Sequence, residues 1–538
     1  MNQKKWVDSI YNKMTLKEKV GQLFMIEAFS TKNKTHSDYI KKLIAEYHLG
    51  GLVFFQGDPV SQSQLTNEYQ SISNIPLMIT IDAEWGLNMR LNSTFRYPYN
   101  MTLGAVQDES LIKKIGKQIG KHCKRIGVHV NFAPVVDINT NPKNPIIGVR
   151  SYGEQKENVI AKAIEFTKGI QSENVLACAK HFPGHGDTDS DSHKTLPTVS
   201  FTAQRIDNIE LYPFKQLFLN DISSVMVAHL NVPSLEKTNG LPSSLSYKVT
   251  TELLKDKLHF KGLIFTDALD MKGASNYGES GEVSLVAFKA GNDVLLLSED
   301  IPKGISKIIE AYKNDDITEE RLSHSVKKIL TAKYDVGLHQ YKPINISNII
   351  NDLNTEIDND LYKEVISEAI TLIKNDNETL SSIKDSKKIA YIKIGDGTND
   401  TFLSEIKQQV SVDDLSGKLL EKTLPQLKNY NTIIISYHQD DTRTIKHFSD
   451  EDIQLIEKIS KNNSVILDVF ASQYTLVDLS FSTIKSVLIS YENSIESQRA
   501  SAQIILGNKV AKGKLPTSIN TEFKVNSGIT EYSKQEVN

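Results

Sequence analysis

Residues 180–193, KHFPGHGDTDSDSH, gather three histidines, three aspartates and a lysine around Pro183-Gly184. Side chains of these types at this density can bind a metal or move protons. His181 and His185 have the i, i+4 spacing of a helical zinc pair, but Pro183 and Gly184 between them break a continuous helix. Asp187, Asp189 and Asp191 match alternate ligands of a calcium loop. Its glycine position would then be Ser192, and its closing glutamate Thr198. Both metal readings fail on context, so neither a metal nor a cofactor is expected. For proton transfer, Asp191 and His193 share a face in extended backbone and can hydrogen-bond. A carboxylate on one ring nitrogen orients the imidazole and leaves the other to give and take a proton near neutral pH. Taken alone, the pair reads at least as readily as a loop histidine beside a capping aspartate.

Asp267 sharpens the chemistry. It follows Thr266 at the end of the apolar run 263–265. A retaining glycosidase needs a carboxylate facing an acid/base. One group attacks the anomeric carbon; the other protonates the leaving oxygen and later activates water. A strand-end aspartate that caps the next helix is the structural alternative, and Asp270 competes for either role.

These residues need elements to hold them. Apolar runs that read as strands recur at 49–55, 77–81, 128–136, 175–179, 223–230, 263–265 and 292–297. Helical patterns lie between several of them, at 110–126 and 157–172 for example. Residues 4–26 read as helix in two pieces, the second started by a Thr15-x-x-Glu18 capping box. Asp82, Asp137, His181, His229 and Asp267 all fall where a strand ends. Several strands feeding one mouth favour a barrel over an open sheet, which uses a single crevice. The expected fold class is α/β: an N-terminal (β/α)8 TIM-like barrel over 1–340, a linker over 341–360, and a C-terminal α/β/α sandwich over 361–538. The second domain rests on the strand-like runs TLIKN, KIAYIKI, TIIISYH, VILDVF and SVLIS.

Composition narrows the class. The 538 residues are 39% hydrophobic and 24% charged, which suits globular domains with a core. A net charge of −4 makes no electrostatic case for nucleic acid. Cys123 and Cys178 form neither a disulfide framework nor a CxxC metal pair. No run reaches the ~18 apolar residues of a membrane span, and the N-terminus has no apolar leader core. The chain as it stands reads as soluble, either cytoplasmic or a trimmed periplasmic or secreted protein.

With these residues in view, the chain resembles the family 3 glycoside hydrolases, in their bacterial β-N-acetylglucosaminidase branch. KHFPGHGDTDSDSH carries the likeness, joined in the same order by IDAEWGLNMR, NFAPVVDIN, NPIIGVRSYG, VMVAHLNVP and FTDALDMKG. AITLIKN and GKLPTSI resemble the entry and exit segments of that family's C-terminal sandwich. The resemblance implies that Asp267 is the nucleophile and His193 the acid/base, with Asp191 as its partner. It implies that Asp82, Arg90, Arg150, Lys180 and His181 hold the sugar. Trp85 stands where the family usually has glycine, and either walls or narrows the site.

The activity so implied is exo-acting, retaining release of terminal N-acetylglucosamine from peptidoglycan fragments or chitin-type oligosaccharides. The partner is therefore an N-acetylglucosamine-containing glycan. Three alternatives stand beside it. Phosphate could replace water, since a histidine acid/base repels anions less than a carboxylate does. A β-glucosidase of the same family would draw its acid/base from the second domain. A non-catalytic sugar-binding relic would be expected to have lost Asp191, His193 or Asp267, and all three are present.

Overall fold

The computed structural model describes residues 2–188, 195–380, 382–417 and 420–530. Eight short strands make the first sheet: β1 Phe24–Ala28, β2 Gly51–Phe54, β3 Met78–Ile81, β4 Val130–Asn131, β5 Leu176–Phe182, β6 Ser224–Val227, β7 Leu263–Thr266 and β8 Leu295–Leu296. They pair in parallel in the order β7-β6-β5-β4-β3-β2-β1-β8. A parallel bridge between Phe265 and Val294 joins the two ends, so the sheet closes into a TIM-like barrel. β2, β3, β6 and β7 are buried at every position. This is why they read as unbroken apolar runs: the barrel interior covers one face and the helices the other.

The barrel has one strand that periodicity misassigns. The Thr15–Glu18 capping box forms as expected, with Glu18 N–H on Thr15 Oγ1 and Thr15 N–H on Glu18 Oε2. The helix it starts, however, ends at Gly21, and Phe24–Ala28 is the first barrel strand. A short apolar run fits a buried helix or a buried strand equally well. Tertiary packing decides here. A Cβ on Gly21 would stand 1.8 Å from the Tyr47 carbonyl oxygen, and β1 pairs with both β2 and β8. β5 also runs further than the apolar stretch 175–179 suggests. It continues through Lys180 and His181 to Phe182, with a register irregularity against β6 between Ala179 and Phe182.

The second sheet comprises β9 Thr371–Asn375, β10 Ile389–Ile394, β11 Val412–Asp414, β12 Thr432–His438, β13 Ser464–Phe470 and β14 Ser486–Ile489. Its order is β11-β10-β12-β13-β14-β9, parallel except for β9, which pairs antiparallel with β14. β11 is three residues long with two of them exposed; it carries no apolar run and had no sequence signal.

By contact the chain forms two compact units. One takes Met1–Tyr97, Ile112–Ile147 and Val159–Asp358; the other takes Pro98–Leu111, Gly148–Asn158 and Asn359–Asn538. The helix Asn100–Ala105 and the turn Gly148–Arg150 therefore belong with the second sheet, although both follow barrel strands in sequence. Met101, Val149 and Tyr474 form one buried cluster there. Glu492 accepts hydrogen bonds from Tyr99 N–H and Thr102 Oγ1 at 2.8 and 3.0 Å. Among the described residues, no helix is long and apolar enough to cross a membrane.

Candidate active site

The polar ends of β3, β4, β5 and β7 supply the site. Asp82 directly follows β3. Its Oδ1 accepts from Lys180 Nζ at 2.7 Å and its Oδ2 from Arg90. Lys180 lies near the end of β5 and is 2% exposed. It also reaches Glu84 Oε1 at 2.8 Å, so one ammonium serves two carboxylates. Arg90 ends the tight turn Leu87–Met89 and stacks its guanidinium 4.8 Å from the Phe55 ring centre. Burial alone would raise the Asp82 pKa, but Lys180 and Arg90 hold it well below the usual carboxylate range.

Asp137, past β4, organises the start of the cluster. Its Oδ2 accepts from His181 Nδ1 at 2.6 Å, and its Oδ1 accepts the backbone N–H of His185 at 2.7 Å and of His181 at 3.3 Å. Burial works against its charge, but His181, His185 and these donors keep its pKa lowered. His185 pairs its Nδ1 with Thr188 Oγ1 at 2.7 Å, and burial pushes it down to about 4, so this ring is neutral at pH 7. Gly186 is required where the turn passes β4, because a Cβ there would stand 1.9 Å from the Ile138 carbonyl oxygen.

Asp267 follows β7. Its N–H donates to Val227 O, and its Oδ1 accepts from Ala268 N–H at 2.8 Å. Desolvation raises its pKa, but His229, His181, the Ala268 N–H and Lys180 outweigh that and lower it. Asp270 goes the other way. Desolvation and the carboxylates of Glu27, Asp267 and Glu299 raise it. The two candidate carboxylates are thus driven apart, with the charged form favoured at Asp267 and disfavoured at Asp270.

The structure brings Asp82, Arg90, Lys180 and Glu84 into one ion-paired group. It puts His181 on Asp137, and sets Asp267 in the field of His181 and Lys180. Arg150 ends the turn Gly148–Arg150, which groups with the second sheet; its carbonyl accepts from Asn100 Nδ2 at 2.6 Å. Asp191 and His193 lie outside the described residues, as does Asp189 of the calcium-loop pattern. Trp85 is buried, and its carbonyl accepts the Tyr97 N–H at 2.9 Å. Among the described residues, no group of three or more His, Cys, Asp or Glu side chains is arranged to hold a metal ion. Sequence reasoning weighed His185 only as a metal ligand and placed Asp137 and His229 only at strand ends; it gave none of these, nor Glu84, a part in catalysis or sugar binding. The signal was present, since Glu84, Asp137 and His229 each stand just past a strand end, but nothing in one chain says which distant side chain each would meet.

Comparison with known proteins decides the family. Residues 15–332 match the glycosyl hydrolase family 3 N-terminal domain. The chain belongs to glycoside hydrolase family 3. This family 3 enzyme is 31% identical over 410 residues to beta-hexosaminidase A of Pseudoalteromonas piscicida, an alignment covering 70% of this chain and 68% of that one. It is 25% identical over 379 residues to a beta-N-acetylglucosaminidase/beta-glucosidase of Cellulomonas fimi, covering 69% and 66%. Its structure resembles a family 3 beta-N-acetylglucosaminidase from Paenibacillus sp. str. FPU-7 with a TM-score of 0.79 at 30% identity, over 94% of this chain and 99% of that one. A beta-glucoside phosphorylase, BglX, superposes with a TM-score of 0.81 at 22% identity over 97% of each chain; at that identity the likeness is one of fold. The family 3 enzyme is accordingly a glycoside hydrolase built on a barrel with a second mixed-sheet unit.

Proposed function

We propose that this glycoside hydrolase is a retaining, exo-acting β-N-acetylglucosaminidase that removes terminal N-acetylglucosamine from peptidoglycan fragments or chitin-type oligosaccharides. The observation that carries the reading is the 30% identity, along nearly the whole of both chains, to a solved family 3 β-N-acetylglucosaminidase. The anionic Asp267 at a strand end is consistent with it.

In this reading Asp267 attacks the anomeric carbon while His193, oriented by Asp191, gives its proton to the departing aglycone oxygen. The carbon–oxygen bond to the aglycone breaks as the Asp267–carbon bond forms. His193 then takes a proton from water, the water oxygen attacks the same carbon, and Asp267 leaves, so the configuration is retained. Asp82, Arg90, Arg150, Lys180 and His181 hold the sugar hydroxyls and N-acetyl group. An ion-paired set suits this task, since its donors and acceptors are already oriented before substrate arrives.

Turnover of an aryl β-N-acetylglucosaminide, compared with the aryl β-glucoside, tests the reading. The expected result is hydrolysis of the former, severe loss in Asp267→Ala, and loss in His193→Ala that is least for activated leaving groups. Added azide should then give the β-glycosyl azide with His193→Ala. Preference for the glucoside would overturn the substrate assignment, and a sugar 1-phosphate formed in phosphate buffer would make the acceptor phosphate.

A further inference from the structure

His229 stands two residues past β6 and is completely buried. Its Nε2 lies 2.8 Å from the Ala268 carbonyl oxygen. A carbonyl only accepts, so Nε2 carries a hydrogen. Its Nδ1 lies 2.7 Å from Ser244 Oγ, in the short turn Ser243–Leu245. That turn is itself anchored. Ser244 N–H donates to Ala228 O, and Ser244 O accepts from Asn292 Nδ2 at 2.8 Å. The ring therefore spans from a fixed turn beside β6 to the residue immediately after Asp267.

That residue matters because Ala268 N–H is the donor on Asp267 Oδ1. Four ties hold this short segment: Asp267 N–H on Val227 O, Ala268 O on His229, Leu269 N–H on Leu296 O, and Met271 N–H on the same Ala268 O at 3.1 Å. The first and third are ordinary links between neighbouring barrel strands. The His229 tie is the one made by a side chain, and with the local turn bond from Met271 N–H it fixes the rotation of the residue that grips the carboxylate. Among the described residues, no hydrogen-bond donor meets Asp267 Oδ2, the oxygen left to attack.

Resting on the reading of Asp267 as nucleophile, we infer that His229 is its positioning residue, clamping the Ala268 peptide so that Oδ1 is gripped by the backbone and Oδ2 faces the sugar. His229 does not touch the reacting carbon. It acts through Ala268, and a carboxylate misplaced by about 1 Å can lose ~10²-fold in rate. Other titratable groups also face Asp267: Cys178, Lys180 and His181 from β5, His185 just beyond it, and Asp270 from its own turn. Removing the clamp leaves all of these in place. His229 is itself the foremost of the groups that lower the Asp267 pKa, and the Ala268 N–H is another, so removing the ring and releasing that N–H both raise it.

The test compares His229→Phe, which keeps a ring without donors, with His229→Gln, whose amide nitrogen can take the place of Nε2. Folding is checked by thermal melting, and kcat and KM are measured on an aryl β-N-acetylglucosaminide from pH 4 to 8. Expected for His229→Phe is a fall of ~10²-fold in kcat, little change in KM, and an acid limb of kcat/KM displaced upward by about one pH unit. His229→Gln should recover about tenfold of that loss. Ser244→Ala should move both quantities the same way by a few-fold, and it becomes the deciding variant if His229→Phe does not fold. Wild-type kcat in these variants, an unmoved acid limb, or a glutamine variant no better than phenylalanine would overturn the inference. An inactive wild type, or Asp267→Ala at the wild-type rate, would instead overturn the functional reading beneath it.

Discussion

The barrel mouth and the core of the second sheet both bury carboxylates, and they treat them in opposite ways. At the mouth, Asp82 meets Lys180 and Arg90, Asp137 meets His181 and two backbone N–H groups, and Asp267 lies near His229, His181 and Lys180. All three stay ionised against the cost of burial. In the second sheet, Asp468 lies in the middle of β13, fully buried, with the hydroxyls of Ser490 and Ser501 as donors to its oxygens. Burial outweighs those hydroxyls and the Val469 N–H and pushes its pKa up to about 6. On the adjoining strand β12, His438 lies in register with Phe470, stacks 4.3 Å from its ring and is pushed down to about 4 by burial. The charged form is favoured where strands end at the barrel mouth and disfavoured where a sheet interior is being filled. A buried polar group is therefore weak evidence of a site. Cations or oriented N–H donors that keep it charged are stronger evidence.

Matched substitutions sharpen this contrast. Asp267→Asn preserves shape and removes the charge, and should lower kcat by ~10³-fold or more while leaving the melting temperature unchanged or higher. An active Asp267→Asn would break the comparison. Lys180→Met takes away the cation shared by Asp82 and Glu84, and should cost about 3–5 kcal/mol in denaturant unfolding. A loss below about 1 kcal/mol would mean the pairing is not what keeps these carboxylates buried.

Asp468→Asn should leave turnover unchanged and alter the pH dependence of stability. Between pH 4 and 6 the folded wild type binds more protons at this residue than the unfolded chain does. Its stability therefore falls as pH rises through that window, by up to ~3 kcal/mol, and this contribution is constant above it. The asparagine variant lacks that contribution, and the difference between the two urea unfolding curves at pH 4.5 and 7.5 reads it directly. Ser501→Ala removes one of the two hydroxyl donors and is the smallest effect, about 1 kcal/mol at pH 7.5. An Asp468 variant that lost activity would make the second sheet part of the chemistry.

Much of this was legible along the chain because strand periodicity and local turn chemistry are local properties. Seven of the barrel strands announced themselves as apolar runs bounded by polar residues, and the Thr15–Glu18 capping box needed only four consecutive residues. Asp82, Lys180, His181 and Asp267 were legible as strand-end groups for the same reason. β1 and β11 were not. Phe24–Ala28 is short and apolar enough to fit either period until β2 and β8 flank it, and Val412–Asp414 is a strand by pairing with β10 alone.

The sequence by itself determined the alternating architecture, the concentration of acid/base residues after one strand, and the family likeness carried by its motifs. These depend on side-chain type and spacing over a few residues. Only the tertiary structure decided that Lys180 serves both Asp82 and Glu84 from 98 and 96 positions away, that Asp137 grips both ends of the 181–185 turn, and that His229 holds the residue after Asp267. It also decided that the surroundings favour the charged form of Asp267 and disfavour that of Asp270. The physical reason is common to all four. The energy of a buried charge is set by the few ångströms around it, and closing the barrel, not chain order, chooses which side chains occupy that space.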